Sequence, residues 1–238
     1  MICTNNLSNI TFEGLKFKKV NNVNIPKEFT IKRQELGEDI DFFVKTTSGS
    51  DNFVVSVNNK ADEELGISRF VVENNTIYNE SINNFSRIKG IGSVLHLSHI
   101  LIMMENNLQS IKLHSLGNAI PFHSKLKFGA NFEILSEIQD FMFKELFLRN
   151  SKEFLSNTLL KDVQNWYADK TSSRKAKIRN GNTLLDDFIR ELRKPSSSHS
   201  TSIDLLSGMD MKLDKKTVIE QKDYFNELLL KYGIDYNI

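Results

Sequence analysis

Arg87-Ile88-Lys89-Gly90-Ile91-Gly92, followed by Ser93 and Val94, decides how this chain is read. Thr76 to Ile82 (TIYNESI), just before it, is β-rich, whereas Val94, Leu95, Leu97, Ile100, Leu101 and Met104 after it recur at helical spacing. The hexapeptide is therefore a loop from a strand into a helix. Its glycines let the backbone curl tightly, and the amides of a helix's first turn have no acceptor within the helix. Such a turn is an anion cradle, and Arg87 and Lys89 add positive charge suited to a diphosphate.

Four more β-rich runs lie upstream, at Phe29 to Arg33, Asp41 to Thr47, Asn52 to Val57 and Gly66 to Val72. Ser48-Gly49-Ser50-Asp51 and Asn74-Asn75 are turn chemistry, so these runs predict an antiparallel meander. Downstream, Ser110 to His114 is a further strand candidate. A helix over about Asn118 to Lys127 follows, with Pro121 in its first turn. Beyond Asn131 the pattern is mostly helical. Phe132 to Arg149 reads as helix, Asn150 and Glu153 suit a capping box, and an apolar stripe runs from Phe154 to Tyr167. Thr183 to Lys194 and Lys215 to Tyr232 are further helices, the last ending at Gly233, and residues 195–202 between them read as a Ser-rich linker.

A chain of 238 residues with 39% hydrophobic and 26% charged side chains can bury a core without disulfides. Its single cysteine, Cys3, excludes an internal disulfide. With 31 basic residues against 30 acidic ones, no global field draws it to nucleic acid or an anionic membrane. The basic run Ser173 to Arg179 lacks interleaved aromatics and reads as a solvated turn between helices. The N-terminus has no charged head and apolar run of a cleavable leader, and the most apolar window, Val94 to Met104, is too short to span a bilayer. A cytoplasmic location is expected, with non-classical export left open. His96 and His99, three residues apart, have no Cys or acidic cluster beside them, so no metal is expected and they read as core or interface histidines.

Spacing separates the phosphate-binding loops that could own RIKGIG. A Walker A loop needs a lysine after its second glycine, and Ser93 follows Gly92. A dinucleotide-binding fingerprint needs a third glycine where Leu95 stands, and it expects parallel βαβ units. The segment instead resembles motif A of the GNAT superfamily of N-acetyltransferases, R/Q-x-x-G-x-G/A at a strand end, at every specified position. Ala119 to Phe128 (AIPFHSKLKF) resembles the family's second signature, A-x-x-F-Y-x-K-x-G-F. Ala119, Phe122, Lys125 and Phe128 match, whereas His123 replaces the tyrosine and Lys127 the glycine.

The resemblance implies an α+β fold with a GNAT-like mixed, mostly antiparallel sheet and flanking helices. The resemblance covers about Phe29 to Phe128, so the expected domains are 10–130, GNAT-like, and 131–238, a helical extension read from its periodicity and without a resemblance of its own. The resemblance implies acetyl-CoA as co-substrate, held by Ile82, Arg87, Ile88, Lys89, Gly90, Ile91, Gly92 and Ser93, and a primary amine of unknown identity, small molecule or protein, as acceptor. His123, in the tyrosine's place, is the candidate general acid, and Glu80, on the strand face of Tyr78 and Ile82, the candidate base. His114 and Ser115 are candidates to line the pantetheine channel. The extension is a candidate acceptor cover or homodimer surface. A non-catalytic acyl-CoA sensor or interaction module on the same scaffold is the alternative.

Overall fold

The computed structural model describes residues 15–35, 38–148, 155–192 and 207–238. Cys3, the capping pair Asn150 and Glu153, and the linker at 195–202 lie outside the described residues. The strands are β1 (Phe17–Val20), β2 (Val23–Pro26), β3 (Phe29–Glu35), β4 (Glu38–Ser48), β5 (Phe53–Asn58), β6 (Glu64–Glu73), β7 (Thr76–Asn84), β8 (Ser110–Ser115), β9 (Gly129–Ala130) and β10 (Met209–Asp214). The α-helices are α1 (Ile91–Glu105), α2 (Ile120–Lys125), α3 (Leu135–Met142), α4 (Asn157–Ala168), α5 (Arg174–Leu192), α6 (Lys215–Glu220) and α7 (Lys222–Lys231). A 3-10 turn at Gly117–Ala119 precedes α2, and a π-helical stretch, Phe143–Leu148, extends α3. The result is an α+β fold with a mostly antiparallel sheet and flanking helices. Among the described residues no helix is long and apolar enough to cross a membrane.

The chain divides into two compact units, one of residues 1–72, 81–108 and 218–238, the other of residues 73–80 and 109–217. The units interleave along the chain, and the expected boundary at residue 130 falls inside the second. The reason lies in β7, whose first half belongs to one unit and second half to the other, and in the return of the C-terminal helix to the first unit.

In the first unit β3 to β6 form the expected meander. β3 pairs antiparallel with β4, β4 with β5, and β5 with β6. Asn74 and Asn75, between β6 and β7, have φ of 48° and 59°, the conformation that a two-residue hairpin turn requires. Asn21 and Asn22 do the same between β1 and β2, a hairpin the sequence pattern did not suggest. Helix α1 is apolar nearly all round: Ile91 and every residue from Val94 to Met103 are buried, as befits a helix enclosed in a core. Its C-terminal Asn106 exchanges two 2.7 Å hydrogen bonds with the backbone N–H and C=O of Asn24 on β2, which ties the helix end to that hairpin.

The start of α1 is set by Gly66 on β6. A Cβ at that position would stand 2.5 Å from Ile91 Cγ2 and 3.0 Å from the Asn83 carbonyl. Ile91 therefore occupies the space a side chain at residue 66 would need.

In the second unit β7 and β8 pair in parallel from Thr76↔Ser110 to Asn79↔Leu113, β8 pairs antiparallel with β10, and β10 with β9. Within the mostly helical extension the chain also forms strand β10, which the sequence pattern did not suggest. Met209, Met211 and Leu213 are buried and alternate with exposed or half-buried Asp210, Lys212 and Asp214, so this segment completes the sheet beside β8. The basic run at 173–179 is likewise corrected: it opens α5. Ser173 Oγ accepts from the Ala176 amide, the Lys177 carbonyl accepts from Trp166 Nε1 at 2.9 Å, and Lys177 Nζ lies 5.4 Å from the Trp166 ring centroid. Packing on Trp166 makes helix of what local composition reads as a turn. Burial pushes Asp186 of α5 up to about 6, and its carboxylate accepts from the Ala130 amide at 2.7 Å, fastening α5 to β9.

Glycine to alanine in a strand is ordinarily neutral or better. Gly66→Ala should instead lower unfolding free energy by about 2 kcal/mol, because the added methyl meets Ile91. Urea denaturation reads this, and an unchanged midpoint would show that α1 has slack at its start.

Candidate functional site

Strand β7 leaves the sheet through an ordered loop. Phe85 donates its amide to the Leu65 carbonyl at 2.9 Å, and Asn84 Oδ1 accepts from both the amide and the hydroxyl of Ser86 at 3.0 Å. Ser86 Oγ in turn accepts from the Ile88 amide at 3.3 Å. Asn84 and Ser86 thus shape the loop ahead of the glycines. Sequence reasoning missed both, although Asn followed two residues later by Ser is the usual chemistry of such a turn.

Gly90 then has φ 101° and ψ −13°, in the left-handed region that suits glycine. Its carbonyl accepts the first helical bond, from the Val94 amide at 3.0 Å. The amides of Ile91, Gly92 and Ser93 come before that bond and have no acceptor within the helix. Helix α1 has no side-chain N-cap and no acidic residue in its first turn. Arg87 and Lys89 are exposed, and no ion pair among the described residues engages either of them. Gly92 and Ser93 are half-buried, as are Ile82 and Ile88. The special conformation belongs to Gly90 alone, since Gly92 is an ordinary helical residue.

Behind this loop, β7 is anchored by a buried polar relay. Ser68 Oγ donates to the Ser81 carbonyl at 2.9 Å and lies 3.2 Å from His99 Nε2. A hydroxyl has one proton, and here the carbonyl takes it, so Nε2 is the donor to Ser68. Burial pushes His99 down to about 3, which keeps the ring neutral. His99 also packs edge-on against Phe70, with centroids 4.9 Å apart. Its role is to hold the residue next to Ile82. Among the described residues no group of three or more His, Cys, Asp or Glu could hold a metal ion.

In the second unit, His123 lies buried in α2 with Phe122 and Phe128 packed on it, centroids 5.1 and 5.9 Å away. Burial pushes it down to about 4, so at neutral pH it is an uncharged imidazole. Its carbonyl accepts from the Phe128 amide, and the Ser124 carbonyl from the Lys127 amide, the paired bonds of a Schellman ending. Lys127 consequently has φ 68°. A glycine would sit here without strain.

Glu80, at the unit's end of β7, is exposed. A cavity of about 500 Å³ opens on the face of β7, β8 and β10, and Glu80 does not line it. Its walls include Tyr78, Lys112, His114, Glu133, Glu137 and Asp210. Lys112 Nζ pairs with Glu133 at 2.8 Å and lies 5.8 Å from the Tyr78 ring centroid. His114 Nδ1 stands 2.8 Å from Asp210 Oδ1. Ser115 is buried, so of the two residues expected to line a channel only His114 faces open space.

No protein-family model matches the sequence, and no curated protein matches it. Solved structures match in part. A GNAT-family acetyltransferase from Staphylococcus aureus overlays 34% of this chain and 56% of its own, at 19% identity and a TM-score of 0.32. PaiA N-acetyltransferase from Thermoplasma acidophilum, solved with coenzyme A, overlays 34% of this chain and 54% of its own, at 17% identity and a TM-score of 0.30. Nourseothricin acetyltransferase overlays 49% of this chain and 84% of its own, at 13% identity and a TM-score of 0.32. The chain spans little more than half the length of the first two.

Lys127→Gly should raise unfolding free energy by about 1 kcal/mol, by relieving a left-handed backbone that a side chain resists. Thermal unfolding of the variant checks this; a fall in midpoint would mean that the Lys127 side chain earns its place by contact.

Proposed function

We propose that the chain is an N-acetyltransferase that moves an acetyl group from acetyl-CoA to a primary amine, with the 87–93 loop holding the pyrophosphate. The observation that carries this reading is the Gly90 turn, which opens a 15-residue helix with free first-turn amides, no acidic residue there and two exposed cations beside it. A diphosphate is the ligand that such donors and charges suit best. The two signatures in the sequence support coenzyme A over other diphosphates.

In the reaction, the neutral amine attacks the thioester carbonyl. The N–C bond forms, the C–S bond breaks, the amine proton passes to a base and the thiolate leaves to be protonated. The backbone N–H of Ile82 is the proposed donor to the developing oxyanion, and the relay through Ser68 that fixes Ser81 would hold that segment still. Glu80 is available as a proton acceptor at the exposed strand end. His123, uncharged and buried, would serve as a neutral N–H donor or packing group, since its low pKa leaves almost no imidazolium to act as an acid at pH 7.

That same property favours the second reading, an acyl-CoA sensor without turnover. Calorimetry with acetyl-CoA followed by thiol release over a panel of amines separates the two: binding with turnover supports transfer, binding alone supports the sensor. Gly92→Glu should weaken acetyl-CoA binding by more than about 100-fold, because it sets a carboxylate among the amides meant for the diphosphate. Unchanged affinity in that variant would remove the pyrophosphate from this loop.

A further inference from the structure

The cavity on the face of β7, β8 and β10 lies wholly within the second unit and has two built walls. The sheet supplies the first. Tyr78 stands in register with Lys112 on the parallel β7–β8 ladder, and His114 with Asp210 on the antiparallel β8–β10 ladder. Residues two apart on a strand share a face, so these four side chains rise together, with His114 Nδ1 2.8 Å from Asp210 Oδ1.

The second wall is the segment from Asn131 to Glu137, which leads into α3. It is fastened to both of its neighbours. Asn131 donates its amide to the Asp210 carbonyl at 2.8 Å. The Asn182 side chain of α5 accepts from the Phe132 amide and donates to the Phe132 carbonyl, both at 2.9 Å. The walls are thus set by bonds to the backbone before anything enters, and the volume, about 500 Å³, is that of a small-molecule site.

The charges of these walls do not cancel. Glu133, Glu137 and Asp210 are three carboxylates and Lys112 is the one lysine among the lining residues, so two negative charges are in excess with His114 counted as neutral. Lys112 is engaged by Glu133 at 2.8 Å, and Asp210 by His114. Lys212, in register with Lys112 on β10, pairs with Asp214 at 3.0 Å and adds nothing to the balance. Glu137, in the first turn of α3, makes no ion pair or hydrogen bond among the described residues. No group of three or more His, Cys, Asp or Glu among the described residues could hold a metal ion, so the excess charge is spread too widely for a bare divalent cation. Apolar surface accompanies it: Leu113 and Met211 line the sheet side, and Ile134, 44% exposed, the other.

We infer that this cavity binds an aliphatic diamine, whose two ammonium groups match the two excess carboxylate charges while its methylene chain lies on the apolar lining. A dicarboxylate is rejected, because it would have to take Lys112 from Glu133 while facing Glu137 and Asp210. The inference concerns the second unit alone, and it stands whether or not the 87–93 loop holds coenzyme A.

The test is calorimetric titration of the full chain, without coenzyme A, using 1,4-diaminobutane as the probe and butylamine and succinate as comparators. The diamine should bind saturably at one site, at least about fivefold more tightly than butylamine, and succinate should not bind. Glu137→Gln should weaken diamine binding about tenfold. Glu137 is exposed, so the variant should keep its thermal midpoint. Asp51→Asn, at an exposed turn of the first unit, should bind like the wild type. No saturation by the diamine up to about 10 mM would overturn the inference. So would succinate or butylamine binding as tightly as the diamine, or a Glu137→Gln variant whose affinity is unchanged. Each of these results leaves the reading of the 87–93 loop untouched.

Discussion

Where Ile91 meets Gly66, a missing side chain on β6 lets a branched side chain of α1 settle against the strand, in space where an added Cβ would stand 2.5 Å from Ile91 Cγ2. Much of the first unit depends on this contact. It sets where the helix begins, and so where the amides of Ile91, Gly92 and Ser93 stand in relation to the loop that Asn84 and Ser86 shape. The left-handed turn at Gly90 then lets the chain enter the helix without a side-chain cap. Helix burial, strand anchoring through Ser68 and His99, and the open first turn form one chain of cause from core packing to a surface suited to anions.

The second unit solves a different problem. After four parallel pairs with β7, strand β8 needs a partner on its other side, and the chain supplies β10 from far downstream. That pairing buries Met209, Met211 and Leu213 on one face and sets Asp210 beside His114 on the other. A fold requirement, the closure of a strand edge, thereby creates a polar pair in the cavity.

The meander and α1 were legible because turn chemistry at Ser48 to Asp51 and Asn74-Asn75 punctuates β-branched runs, and because the periodicity changes sharply after RIKGIG. Strand β10 was not, since Met, Leu and Lys favour helices and Asp disfavours strands; its strict alternation was the signal, and propensity hid it. The first turns of α5 were hidden for a related reason: the basic run is a helix that packs on Trp166, a partner outside the run itself. At the site, the glycines and cations of the loop could be read locally, whereas the left-handed backbone at Lys127 emerged only with the helix ending that imposes it. The His114–Asp210 pair spans 96 residues of sequence and joins two strands, one of which was not foreseen, so nothing local announced it. Burial is equally invisible at a single position, which is why His123 could be taken for a titrating acid when packing against Phe122 and Phe128 makes it a neutral one.

Amide hydrogen exchange with and without coenzyme A tests the central claim most directly, because the donors in question are backbone N–H groups. Ser86 to Val94 should exchange at least about tenfold more slowly when the ligand is bound, with Ile91, Gly92 and Ser93 most protected. Coenzyme A that binds yet leaves these amides unprotected, with protection confined to other segments, would contradict the assignment of the pyrophosphate to this loop.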